Sequence, residues 1–153
     1  MERQEIESTI RYISRLLQIE PPKVEIVPQE RFRTATEQSA VYGVKGDLTI
    51  LVSEGLAANK NRFFCEYILA HEMRHCWQIA NDLILPQQSS AELDTTAYNE
   101  QENEIDAHAF AWAYLGVEYS LMLEIPTLSA EYIAKIKERS KPLVMKYWFN
   151  ELG

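Results

Sequence analysis

The sequence predicts an α+β fold, and three observations carry that expectation. Ile6, Ile10, Ile13, Leu16 and Leu17 recur at helical spacing near the start. Short segments rich in β-branched residues follow between positions 23 and 52. From Arg62 to Leu83, and again from about Ala97 to Gly116 or a little beyond, the pattern returns to that of long helices.

Each element has a local reason. The first helix is stopped by Pro21-Pro22, since proline lacks the N–H that would continue the ladder. Lys23-Val24-Glu25-Ile26-Val27 alternates polar and apolar residues, the pattern of a half-buried strand. Ala40-Val41-Tyr42-Gly43-Val44 and Leu48-Thr49-Ile50-Leu51-Val52 flank Lys45-Gly46-Asp47, whose glycine supplies the freedom of a hairpin turn. A small sheet of about three strands, antiparallel or mixed, is therefore expected beside the helices.

The helix from Arg62 to Leu83 carries Phe63, Phe64, Ile68, Leu69, Trp77 and Ile79 and should be largely buried; it ends before Pro86. The next helix is acidic in its first half, through Glu100, Glu102, Glu104 and Asp106. A further helix should run from a Ser129 cap to about Ser140, broken by Pro142. The apolar tail Leu143-Val144-Met145-Lys146-Tyr147-Trp148-Phe149 then either packs home or docks a partner, and packing is the simpler expectation. No repeat, low-complexity tract or linker interrupts the chain, so residues 1–153 read as one domain.

Composition narrows the function. A formal charge of −8 and a pI near 4.9 repel phosphate backbones and anionic membrane surfaces, so neither nucleic acid nor membrane is expected as a partner. The first residues lack a secretory pattern, and no apolar run approaches a membrane span, which points to the cytoplasm. Cys65 and Cys76 lie about 16 Å apart along one helix, beyond the roughly 7 Å a disulfide tolerates. They read as buried reduced thiols.

The chemistry lies in His71-Glu72-Met73-Arg74-His75. Helical positions four apart share a face, so His71 and His75 can offer two imidazole nitrogens to one cation, and zinc suits that pair best. Glu72 lies about 100° round the helix from His71, near enough to take a proton from a metal-held water without becoming a ligand. Zinc lowers the pKa of such a water to about 7, which makes hydrolysis at neutral pH accessible. The motif also lies in an apolar helix, where two histidines and a glutamate would be costly to bury without a partner.

A hydrolytic zinc needs a third protein ligand and an open fourth position. The extension His-x-x-Gly-x-x-His fails, because Gln78 and Asn81 occupy the required places. The next helix offers Glu104 and His108, four apart on one face, among Ala107, Ala109 and Ala111. Small residues there would let the two helices approach closely. Glu104 alternatively belongs to a solvated acidic face shared with Glu100 and Asp106.

Here the sequence resembles the gluzincins, zinc peptidases in which His-Glu-x-x-His on one helix is completed by a Glu on the next. Asn103-Glu104 matches their third-ligand pair. Within that clan the chain is most similar to the small ImmA/IrrE-type peptidases, through Glu104-Ile105-Asp106-Ala107-His108-Ala109-Phe110-Ala111. His108 stands where their Asn is usual, and Arg74 where a Gly often precedes the second His. The resemblance implies a zincin-like fold, zinc held by His71, His75 and Glu104, Glu72 as general base, and a protein or peptide as substrate. It leaves His108 either as a ligand or as a residue orienting one. It also implies an oxyanion-stabilising Tyr or His, for which Tyr98 is the candidate, and a sheet edge around Tyr42 and Gly43 that pairs an extended substrate. Two other readings stand beside it: a zinc domain that only binds and stabilises, and a zinc hydrolase of a non-peptide substrate.

Overall fold

The computed structural model describes residues 1–84, 93–123 and 128–149, the stretch 93–101 by its backbone alone. In chain order the elements are α1 (Arg3–Leu17), β1 (Lys23–Val27), a 3₁₀ turn (Gln29–Arg31), β2 (Ser39–Val44) and β3 (Asp47–Ser53). They continue with α2 (Glu54–Ala57), α3 (Arg62–Ala80), α4 (Leu93–Tyr119), α5 (Ala130–Val144) and a π-helical turn (Met145–Phe149). The α+β expectation holds at this level.

Helix α1 starts with a capping box, in which Glu2 and Glu5 satisfy each other's backbone N–H groups. It ends where Gln18 turns left-handed at φ 57°, three residues before the prolines expected to stop it. Its apolar stripe, Ile6, Ile10, Ile13 and Leu17, is buried.

The sheet order is β1-β3-β2, with β1 parallel and β2 antiparallel to β3, so the sheet is mixed. The strand that comes last in sequence thus lies between the other two. Central position explains why Leu48-Thr49-Ile50 is continuously buried rather than alternating: both faces of β3 are covered. At the hairpin, Val44 pairs with Asp47 across Lys45-Gly46. Gly46 has φ 88° and Gly43 φ 111°, and a Cβ on Gly43 would stand 2.4 Å from the Asp47 carbonyl oxygen.

Asn61 caps α3 by accepting from the Phe64 N–H, and the helix is buried around most of its circumference. It packs against α1, α4 and β2. One core gathers Ile10 and Ile13 of α1, Val24, Val41, Ile50 and Val52 of the sheet, Leu69 and Met73 of α3, and Phe110, Ala111 and Leu115 of α4. A smaller cluster joins Ile105 and Ala109 of α4 to Ile136 of α5.

Pro142 does not break α5, contrary to expectation. The helix continues to Val144 and passes into the π turn at Met145. Proline costs the helix one N–H and crowds the preceding turn. Ile136 is buried and Leu143 packs on both clusters, and that burial holds the segment in place. The apolar tail packs home: Tyr147 and Trp148 contact the Phe110 ring at centroid distances of 5.9 and 5.8 Å, while Phe149 stays exposed. Cys65 and Cys76 are buried and unbridged, and burial pushes both thiols up. Among the described residues, no helix is long and apolar enough to cross a membrane.

Candidate metal centre

Helical spacing sets His71 and His75 one turn apart on α3, their ring centroids 4.8 Å apart and their planes nearly perpendicular. Their Nε2 atoms face each other at 3.1 Å. Helix α4 brings the Glu104 carboxylate against both: Oε2 lies 3.0 Å from His71 Nε2 and Oε1 lies 2.8 Å from His75 Nε2. Ala107 and Ala111, both fully buried, keep this part of α4 thin. Ala109 instead turns toward α5.

His71, His75 and Glu104 thus form a group that could hold a metal ion, their ligand atoms all within 4.8 Å of one another. Two imidazole lone pairs and a carboxylate are all acceptors, so a cation between them, or hydrogen carried on the Nε2 atoms, reconciles them at this separation. Burial alone would lower His75, but the hydrogen bond and charge of Glu104 overcome it and push His75 up to about 9. For Glu104 burial works in the opposite sense, and the two histidines outweigh it to hold the carboxyl far below its usual range.

Glu72 belongs to none of these pairings. It is almost fully buried, and its Oε1 accepts from the Ser39 hydroxyl at 2.8 Å. Ser39 is the first residue of β2, so this bond ties the outer strand to the motif helix.

His108 stands beside the group but outside it. Its Nε2 is 4.0 Å from Glu104 Oε2, and its Nδ1 is 2.6 Å from the Tyr67 hydroxyl. Burial, with the charge of His71 beside it, drops His108 to about 3, so its ring is neutral. Burial also pushes the Tyr67 phenol above its usual range and keeps its proton in place to donate. Tyr98 is on the α4 backbone, but its side chain lies outside the described residues. Tyr42 and Gly43 lie on β2, which has only β3 as a neighbour among the described strands; Tyr42 is exposed.

A polar network behind the histidines is absent from the sequence reading. His75 Nδ1 is 2.8 Å from Gln78 Oε1, and Gln78 Nε2 donates to the Asn103 carbonyl at 3.0 Å and to Asp106 Oδ2 at 2.8 Å. Arg74 grips the same carboxylate with Nε at 2.7 Å and a terminal nitrogen at 3.2 Å. Its other terminal nitrogen donates to the Tyr147 hydroxyl, and the guanidinium lies 3.6 Å from the Trp77 ring centroid. Asp106 therefore serves a buried arginine rather than a solvated acidic face. The signal was available: Arg74 and Gln78 in an apolar helix need partners for the same reason His71 and His75 do. Ser39 and Tyr67 carried no comparable signal. No family model matches the chain, and no curated protein or solved structure matches it.

Proposed function

We propose that the chain is a zinc-dependent metallopeptidase with a zincin-like, gluzincin-type centre, hydrolysing peptide bonds of a protein or peptide substrate. The observation that carries this reading is the convergence of His71 Nε2, His75 Nε2 and the Glu104 carboxylate, with Glu72 buried alongside but outside the group.

The donor set fits zinc. Two imidazole nitrogens and one carboxylate are the ligands of a catalytic rather than a closed structural site. Bonds of about 2.0 to 2.1 Å at tetrahedral angles place ligand atoms roughly 3.3 Å apart. His71 Nε2 and His75 Nε2 are 3.1 Å apart, within a few tenths of an ångström of that spacing, and the two Glu104 oxygens reach one histidine each, at 3.0 and 2.8 Å. His108 stands outside the group with Nδ1 held by Tyr67, which favours three protein ligands over the four of a purely stabilising site.

When bound, zinc in such a set supplies Lewis acidity to the scissile carbonyl and to the attacking water. Glu72 takes the proton of that water as general base and delivers it to the leaving amine. Ser39 steadies the Glu72 carboxylate through Oε1. The edge of β2 away from β3, which pairs with no other described strand, supports a peptide substrate: an extended segment pairing there runs along the strand whose first residue touches Glu72.

The test is Glu72→Gln. It should leave zinc content and circular dichroism unchanged while turnover of a broad peptide library, read by mass spectrometry, falls by about 10²-fold or more. Unchanged turnover removes Glu72 as the base, and a wild-type chain that takes up no zinc removes the metal centre itself.

A further inference from the structure

The Gln78 side chain settles which nitrogen of a neutral His75 keeps its hydrogen. Its amide nitrogen has two hydrogens, and both are directed at groups that only accept, the Asn103 carbonyl and Asp106 Oδ2. The amide therefore cannot be flipped, and the atom facing His75 Nδ1 at 2.8 Å is the carbonyl oxygen Oε1. A carbonyl only accepts, so His75 Nδ1 carries hydrogen and donates. A neutral His75 then has its lone pair on Nε2, the atom that faces His71 Nε2 and Glu104. The Arg74 guanidinium, nearly fully buried, holds the Asp106 carboxylate at two points and so fixes the acceptor that orients the amide.

We infer that Gln78 is a positioning residue that presents His75 to a metal ion through Nε2, and that the Arg74–Asp106 pair sets the Gln78 amide for that task. The inference rests on the proposed metal centre and names what builds it. Gln78 touches neither metal nor substrate; it acts through the His75 ring, by excluding the tautomer and ring rotation that would bury the lone pair. In the absence of Gln78 both tautomers of neutral His75 are open, and metal binding must select one of them.

Two variants test this with zinc alone as the probe. Gln78→Met keeps the length and packing of the side chain and removes its hydrogen bonds. Zinc affinity, measured by competition with a chromophoric chelator, should fall about 10- to 100-fold. The slowly exchanging Nδ1–H resonance of His75 in the zinc-loaded protein should be lost from the ¹⁵N-correlated spectrum. Gln78→Glu keeps an oxygen facing His75 Nδ1 and, with a proton on its second oxygen, can still donate to Asp106 Oδ2 where the Gln78 amide now does. It should bind zinc more tightly than Gln78→Met and restore the resonance. A merely structural role predicts that Gln78→Met, if folded, leaves both affinity and resonance unchanged, and that result overturns the inference. Gln78→Met and Gln78→Glu equally weak also overturn it, because rescue depends on the acceptor facing Nδ1. A wild-type chain that binds no zinc is a separate outcome and removes the metal centre before Gln78 is tested.

Discussion

Ser39 and Glu72 join the outer strand of the sheet to the motif helix: the Ser39 hydroxyl donates to Glu72 Oε1 at 2.8 Å. A hydrogen bond to a charged group contributes about 1.5 to 3 kcal/mol when its partner is buried. Ser39→Ala should therefore lower kcat about tenfold through a less well held base, and leave zinc affinity within about twofold of wild type. Ser39→Thr, which keeps the hydroxyl, should recover most of the rate. Loss of zinc in Ser39→Ala would show instead that the bond supports the ligands rather than the base.

Glu104 and His108 share one face of α4 and differ in what they touch. Glu104 contacts both motif histidines, whereas His108 is engaged by Tyr67 and lies 4.0 Å from Glu104. Zinc titration should show a large affinity loss for Glu104→Ala and a loss of about 10- to 100-fold or less for His108→Ala. Circular dichroism must show both variants folded. The opposite order would transfer the third-ligand role to His108.

Metal uptake should depend on pH with a definite sign. Zinc needs the His75 lone pair, and His75 in the metal-free protein is pushed up to about 9, burial opposing and Glu104 prevailing. Below that value the metal must displace a proton. Apparent affinity should therefore rise by up to about tenfold per pH unit as pH climbs toward 9, and level off above it. Calorimetry at pH 7 in buffers of different ionisation enthalpy should record release of about one proton from this site. A flat profile between about pH 6.5 and 9 would remove Glu104 as the charge that raises His75.

The approach of α4 to α3 is set by small residues. Ala111 is fully buried in the main core, so Ala111→Leu must force the helices apart. Overpacking of this kind costs about 1 to 3 kcal/mol. Zinc affinity should fall with it, since Glu104 is carried on α4 and both histidines on α3. Chemical denaturation and the same zinc titration measure the two effects; stability lost with affinity unchanged would show that the centre tolerates a wider helix spacing.

Much of the architecture was written in local pattern. The stripe of Ile6, Ile10 and Ile13 specifies α1, the β-branched runs around Gly46 specify the hairpin, and the apolar stretch after Asn61 specifies α3, because helix and strand periodicity are properties of neighbours in sequence. Element ends were less legible. Pro142 lies inside α5 because contacts made by Ile136 and Leu143 outweigh a local preference that only the residues around it express.

For the site, the sequence by itself determined that His71 and His75 share a face and that Glu72 stands off it, since a helix of fixed pitch leaves no alternative. Spacing offered Glu104 and His108 as the third partner, and the resemblance put Glu104 forward as the ligand. Only the tertiary structure decided the rest: that the Glu104 carboxylate meets both imidazoles, that His108 is taken up by Tyr67, and that Ser39 reaches Glu72 from the sheet. It also turned Asp106 inward to Arg74 and Gln78. Each of these contacts joins side chains on different elements, and their distances follow from how closely α3, α4 and β2 pack. That spacing is set by the volumes filling the whole core, which no local window of sequence contains.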